Sequence, residues 1–159
     1  VRALSRKHKE SPFCILYGKE NLCVDYQPGE SNSDMFGGNS NWRGPVWPPI
    51  NFLLISSLRE YHAFYGESLK VECPVGSGNY LNLREVSDEL SRRFCGIFLR
   101  DESGRRAVFG ENEKFQRDPH FCDHVLFHEY FHGETGRGCG ASHQTGWTGC
   151  VANLLMDTS

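Results

Sequence analysis

From Asn82 onward, apolar residues recur at the spacing of a single helix face: Leu83, Val86, Leu90, Phe94, Ile97 and Phe98. Such a stripe requires a partner surface, because an amphipathic helix draws most of its stability from burying that side. Asn82 followed three residues later by Glu85 has the pattern of a capping box, so the helix starts there and is expected to reach about Arg100. A second helix is expected from about 49 to 65. Pro48 and Pro49 suit its entrance and Gly66 its exit. Its apolar face would run from Ile50 through Leu54, Leu58 and Tyr61 to Tyr65, with Arg59 and Glu60 off that face. A third helix should begin near Ser142, with Trp147, Cys150, Val151, Leu154 and Leu155 on one side. Gly146 and Gly149 weaken it by roughly 1 kcal/mol each relative to Ala.

Between these helices the chain reads as connection. Residues 71–81 hold Pro74, Gly76 and Gly78, leaving room for a short strand at most. The polar run 101–120 is longer than most connections in a compact domain, which points to a functional loop or a poorly ordered one. Residues 1–41 end in QPGESNSDMFGGNSN, a loop composition. The expected organisation is an N-terminal extension over 1–33 and a principal unit over 34–159. Three helices with long glycine-rich connections and little strand alternation give a mainly α class. They do not close a core among themselves and read as a slice of a larger helical assembly.

Composition excludes several functions. Seventeen basic against twenty acidic residues give a net charge of −3, with no basic run beyond the short Arg2 to Lys9 stretch, so binding to nucleic acid by phosphate neutralisation has no support. The densest apolar stretch, Ile50 to Ile55, falls far short of the ~20 residues a membrane span needs. The opening VRALSRKHKESPF lacks an apolar core of signal-peptide length, and the chain is expected to begin within a longer protein. Seven cysteines, odd in number and without a CxxC pair, argue against a disulfide scaffold or zinc ribbon and are read as mostly reduced.

His128, Glu129, Tyr130, Phe131 and His132 spell HExxH, the pattern of zinc hydrolases in which both histidines share one helix face and the glutamate acts on a metal-bound water. Gly133 follows the second histidine directly, so the helix that must orient both rings would end there. In the extended pattern, Thr135 stands where a glycine belongs and Gly138 where a third histidine belongs. A His-rich surface strand or turn competes with the zinc reading, and no metal is expected.

Carboxylates and flat aromatic faces together suggest another chemistry. Trp42, Arg43 and Trp47 bracket a rigid Gly-Pro pair, while Glu129 and Glu134 precede a glycine-rich loop leading to His143, Gln144 and Trp147. Sugar-processing sites need carboxylates to move protons, and aromatic faces or polar forks to hold a polyhydroxylated ring. Each residue alone has a plainer role, since Trp and Arg at helix entrances often only pack or cap. Two clusters of one chemical kind shift the balance.

The stretches NWRGPVWPPINFLLI and FHEYFHGETGRGCGASHQTGWTGCVANLL strongly resemble the C-terminal catalytic region of glycoside hydrolase family 63, the group that includes processing α-glucosidase and mannosylglycerate hydrolase. The resemblance covers about residues 34 to 156. It implies the C-terminal helices and loops of an (α/α)6 barrel, and hydrolysis of α-glycosidic bonds with inversion and without a cofactor. Inversion needs a protonated acid on the leaving-group side and a carboxylate base that activates water on the other. Glu129 matches the family's base, with Glu134 its nearest competitor. No segment here matches the family's general acid. Asp25 and Asp34 lack its surroundings, so the acid is expected outside this chain and the chain alone is expected to be inactive.

The resemblance further implies that Trp42, Arg43 and Trp47 line one side of the sugar pocket, and His143, Gln144 and Trp147 the other. The partner would be an α-glucoside, an α-mannoside or a glycosylglycerate. The alternatives are a non-catalytic carbohydrate-binding fragment and a zinc hydrolase built on His128, Glu129 and His132. The family includes both lumenal and cytosolic enzymes, so the compartment stays open, with the cytosol favoured over the lumen.

Overall fold

The computed structural model describes residues 13–24, 27–30 and 45–157. Trp42, Arg43, Asp25 and Asp34, together with the expected boundary at 33/34, lie outside the described residues.

Helix α1 spans Pro48–Tyr65. Prolines fill its first two positions, where an N–H would have no intrahelical acceptor. Asn51 reinforces the entrance by donating from both its backbone N and its Nδ2 to the Trp47 carbonyl, at 3.1 and 2.7 Å. The apolar face expected for this helix is, however, the outward one. Ile50, Leu54, Tyr61 and Tyr65 are 47–57% exposed, whereas Ile55 is 1% exposed and belongs to the core with Phe52 packed beside it. The helix carries two apolar stripes, and a polar residue decides between them. Arg59 reaches across to Ser87 Oγ at 3.4 Å, to Asp88 at 3.6 Å and to Asp157. Ile55 lies one turn before Arg59, so fixing the guanidinium turns Ile55 inward.

The second helix, α2, spans Leu83–Gly96 and has both bonds of its capping box, Glu85 N to Asn82 Oδ1 at 2.9 Å and Asn82 N to Glu85 Oε2 at 2.8 Å. Its stripe faces inward as expected, with Leu83, Val86, Phe94, Ile97 and Phe98 buried and Leu90 partly so. The helix stops at Gly96, short of Arg100. Ile97 and Phe98 continue as turn, with Ile97 accepting from Val108 N at 2.9 Å and Arg100 bridged to Arg106.

That pairing gives the polar excursion after α2 an ordered shape. Asp101 Oδ1 accepts from Ser103 N, Ser103 Oγ and Arg105 N at 2.7–2.9 Å. A single turn over 107–109 drops Val108 and Phe109 into the core. The short helix α3, Glu113–Arg117, carries buried Gln116, whose amide bonds Arg106 N, Arg106 O and Gly110 O at 2.9–3.0 Å. One side chain thus replaces the backbone pairing that a loop of this length otherwise lacks.

Three antiparallel two-stranded sheets complete the described elements: β1 (Phe13–Tyr17) with β2 (Glu20–Val24), β3 (Lys70–Glu72) with β4 (Tyr80–Asn82), and β5 (Tyr130–Phe131) with β6 (Gly138–Cys139). Cys14 of β1 is disulfide-bonded, while Cys73, Cys95, Cys122, Cys139 and Cys150 are free thiols. The expected third helix is two short ones, α4 (Thr145–Thr148) and α5 (Val151–Asp157). They break at Gly149, where a Cβ would stand 2.5 Å from the Thr145 carbonyl oxygen.

The core gathers Ile55 from α1, Phe94 and Cys95 from α2, Val151 and Leu154 from α5, and Phe131 from β5. Phe131 meets Phe98 at 5.3 Å and Phe94 at 6.4 Å between centroids, with ring planes at 80° in both pairs. This edge-to-face arrangement is the one the ring quadrupoles favour. The architecture is mixed, with helices around small sheets, and is compatible with a fragment of a helical domain. Among the described residues, no helix is long and apolar enough to cross a membrane.

Candidate active site

The HEYFH segment is not helix: Glu129 lies at a bend that leads into strand β5, Tyr130–Phe131, and the segment runs through the middle of the fold. Phe131 exchanges backbone hydrogen bonds with Val46, at 2.9 and 3.3 Å, and pairs in register with Gly138. Tyr130 pairs with Cys139, Glu129 N donates to Ala141 O at 2.8 Å, and Phe127 is bridged to His143. Thr148 Oγ donates to the His128 carbonyl at 2.6 Å. Tyr130 and Phe131 are fully buried. The strand is therefore interior rather than a surface one, because both its edges find backbone partners and its aromatic side chains fill the core.

The motif therefore lacks the helix that would set both histidines on one face. Helical histidines four residues apart lie about 5–6 Å from each other on one face, a spacing that a bend followed by a two-residue strand does not impose. The two rings are also committed to different neighbours. His128 packs against Gly138. His132 packs on Gly29, and its Nδ1 accepts from the backbone N–H groups of Glu134 and Thr135, both at 3.2 Å. Burial holds the His128 imidazole below the ordinary histidine range, and burial followed by the Arg137 guanidinium does the same for His132. Among the described residues, no group of three or more His, Cys, Asp or Glu side chains is placed to hold a metal.

Glu129 is half-buried. Its Oε2 accepts from Ala141 N at 3.3 Å. The carboxylate lies directly over Gly140, where an added Cβ would stand 2.6 Å from Oε2, 3.0 Å from the Glu129 Cβ and 2.9 Å from the Tyr130 ring. Gly140 also has φ +68°, in the left-handed region that favours glycine. Two glycines of the GRGCG run thus have steric duties: Gly138 admits the His128 ring and Gly140 admits the carboxylate. Glu134 lies exposed in the turn beyond, away from this packing.

The two aromatic blocks meet. Trp47, next to Val46, and Trp147, next to Thr148, have ring centroids 6.0 Å apart and planes at 90°. Both neighbours hydrogen-bond the strand that carries Glu129, so one backbone framework holds the carboxylate and both indoles. The Trp147 Nε1 is buried, with no hydrogen-bond partner among the described residues. His143 is exposed, and Gln144 is tied by its backbone, with N donating to Phe127 O at 2.7 Å and its carbonyl accepting from Trp147 and Thr148. A cavity of about 370 Å3 opens elsewhere, among Phe109, Phe115, Leu126, His128 and Arg137. Glu129 and the indoles do not line it.

Sequence reading missed Tyr130, Thr148 and the steric work of Gly138 and Gly140. Burial and the nearby Glu30, Cys139 and Glu129 push the Tyr130 phenol up to about 12, so it stays protonated. The signal for the strand was present in the aromatic pair Tyr130-Phe131 bounded by Gly133.

Residues 25–148 match the family described as mannosylglycerate hydrolase MGH1-like glycoside hydrolase domain. The chain is similar to an uncharacterized protein of Saccharomyces cerevisiae, 52% identical over 159 residues, covering 99% of this chain and 15% of that protein. It is 28% identical over 123 residues to mannosyl-oligosaccharide glucosidase of Saccharomyces cerevisiae, covering 77% of this chain and 12% of that protein. It is 26% identical over 127 residues to a probable mannosyl-oligosaccharide glucosidase of Schizosaccharomyces pombe, covering 79% and 12%. The chain thus spans 12–15% of the length of the curated relatives it matches. No solved structure matches it significantly.

Proposed function

The chain belongs to the mannosylglycerate hydrolase MGH1-like glycoside hydrolase family, and from that premise we propose that it carries the general base of an inverting α-glycosidase. Glu129 is that base. Its carboxylate takes a proton from a water molecule as the water's oxygen attacks the anomeric carbon, while an acid on the opposite face protonates the departing glycosidic oxygen. Room for the water sets the two carboxyl groups about 6.5–9.5 Å apart. The acid comes from outside these residues. In the full protein the helices form part of an (α/α)6 barrel. Trp42, Arg43 and Trp47 bound the sugar pocket on one side, and His143, Gln144 and Trp147 bound it on the other.

One observation supports this reading above the rest: the strand bearing Glu129 is bonded through Phe131 to the neighbour of Trp47, and through His128 to the neighbour of Trp147. A carboxylate and two indoles fixed to one framework suit a ring that must be stacked while its anomeric carbon is attacked. The substrate class is an α-glucoside, an α-mannoside or a glycosylglycerate. Arg43 gives the glycerate carboxylate a planar partner in the last case.

The test uses the full-length protein that carries this chain. An α-glucoside, an α-mannoside and a glycosylglycerate are offered, and the product anomer is followed by proton NMR. Release of the β-anomer first, with turnover reduced about 10²–10⁴-fold in Glu129→Gln, is expected. Release of the α-anomer first, or undiminished turnover in Glu129→Gln, overturns the assignment. Sugar binding without any turnover places the protein with carbohydrate-binding modules instead.

A further inference from the structure

The turn that follows the Glu129 strand is held by an imidazole used as an acceptor. His132 Nδ1 accepts from the N–H groups two and three residues ahead, Glu134 and Thr135, both at 3.2 Å. This is the position that an Asn or Asp oxygen takes in an Asx turn. An oxygen there keeps its lone pairs across the physiological range. A ring nitrogen accepts only while it is unprotonated.

The turn is closed further by His132 N to Arg137 O at 2.8 Å and Gly136 N to His132 O at 2.9 Å, and Gly133 N donates to Pro28 O at 2.6 Å. Directly beyond it, Gly138 and Cys139 pair with Phe131 and Tyr130, and Gly140 and Ala141 support the Glu129 carboxylate. The turn is therefore the closed end of the hairpin whose other end holds Glu129.

We propose that His132 is a positioning residue that, as a neutral imidazole, latches the 133–137 turn and so keeps Glu129 seated, and that protonation of Nδ1 releases the latch. The latch itself stands on geometry alone; its effect on turnover rests on Glu129 acting as base. Once Nδ1 carries a proton it donates instead of accepting, and it faces two backbone N–H groups that also donate.

The surroundings of the ring set the direction of this switch. Arg137 and Glu134 flank it from the same hairpin. The 27–30 segment meets it through Gly29, whose added Cβ would lie 3.6 Å from His132 Nε2 and 3.9 Å from an Arg137 guanidinium nitrogen. Glu30 of that segment acts on Tyr130 and Cys139, and β6 contributes the Cys139 thiol. Burial and then Arg137 disfavour the charged ring, against Glu134. The folded imidazole is thus neutral at pH 7, and the latch is lost only as pH falls below the ordinary histidine value of about 6.5 and through the lowered folded one.

The experiment measures backbone hydrogen exchange of peptides covering 131–138 in the full-length protein, corrected for intrinsic rates, at pH 7.5 and pH 5. Alongside the unmodified protein go His132→Asn, whose oxygen cannot be protonated there, and His132→Leu, which has no acceptor. Protection of Glu134 and Thr135 is expected to fall at the lower pH in the unmodified protein, as the ring takes up a proton. It should hold at both values in His132→Asn and be absent at both in His132→Leu. On turnover, His132→Asn should recover kcat relative to His132→Leu and move the acid limb of the kcat profile to lower pH. Equal protection at the two pH values in the unmodified protein overturns the latch, as does an unaltered pH dependence in His132→Asn. If the exchange results come out as expected while Glu129→Gln retains turnover, the latch stands and the base assignment fails.

Discussion

Trp47 and Trp147 meet edge to face with centroids 6.0 Å apart, joining the entrance of α1 to α4 across the fold. The contact couples two blocks that have no sequence proximity. A double-mutant cycle with Trp47→Phe and Trp147→Phe, read by chemical denaturation of the full-length protein, should give a coupling of about 0.5–1.5 kcal/mol. Additive effects would mean that the rings merely share a neighbourhood.

Gly140→Ala places a methyl group where Glu129 Oε2 lies 2.6 Å away, at a residue with φ +68°. The carboxylate must move, and the backbone strain costs about 1–3 kcal/mol. With Glu129 as the proposed base, turnover should fall by about tenfold or more through kcat, because a displaced base loses its aim. Full kcat in this variant would show that the seat over Gly140 is not the working position of the carboxylate.

Gln116→Leu strips the partners from Arg106 N, Arg106 O and Gly110 O beneath the 101–117 segment. Leaving buried backbone groups without partners should cost about 2–4 kcal/mol. The loss is to be read as a lower denaturation midpoint and as faster proteolysis between 101 and 117. A midpoint unchanged by the substitution would mean that water replaces the amide at no cost.

Thr148→Val keeps the shape of a fully buried side chain but removes the hydroxyl that donates to His128 O at 2.6 Å. Destabilisation of about 1–2 kcal/mol is expected, largely restored in Thr148→Ser. Equal stability of the Val and Ser variants would dissociate the hydroxyl from the strand's anchoring.

His128 gives a pH prediction. Burial lowers its affinity for a proton in the folded state, so the unfolded chain binds that proton more readily. The stability it contributes is fully present above the ordinary value of about 6.5 and is lost as pH falls through the lowered folded one. Denaturant midpoints should therefore drop between pH 7 and pH 5, and this slope should flatten in the double variant His128→Asn, His132→Asn. A slope that persists undiminished would move its origin to other groups.

Legibility in the sequence followed how local the determining interaction is. The capping box at Asn82 and the stripe from Leu83 to Phe98 are local, and they appear as read. The outward stripe of α1 was misassigned, because the residue that orients the helix, Arg59, finds its partners in Asp88 and Asp157 far along the chain. Helix α2 ends at Gly96 because Ile97 accepts from Val108, a bond with no periodic signature. In the candidate site, Glu129, Trp47 and Trp147 were singled out by their chemistry, and the structure holds them on one backbone framework. The strand that unites them was not legible, since its partners come from 46, from 138–143 and from 148.

The glycines beneath His128 and Glu129 carry an evolutionary implication. With Gly138 and Gly140 allowing no side chain and Phe131 walled in by aromatic rings, the floor under this carboxylate has almost no freedom to drift. Exposed residues such as His143 lie off that floor, and their side chains can be exchanged without disturbing what lies below.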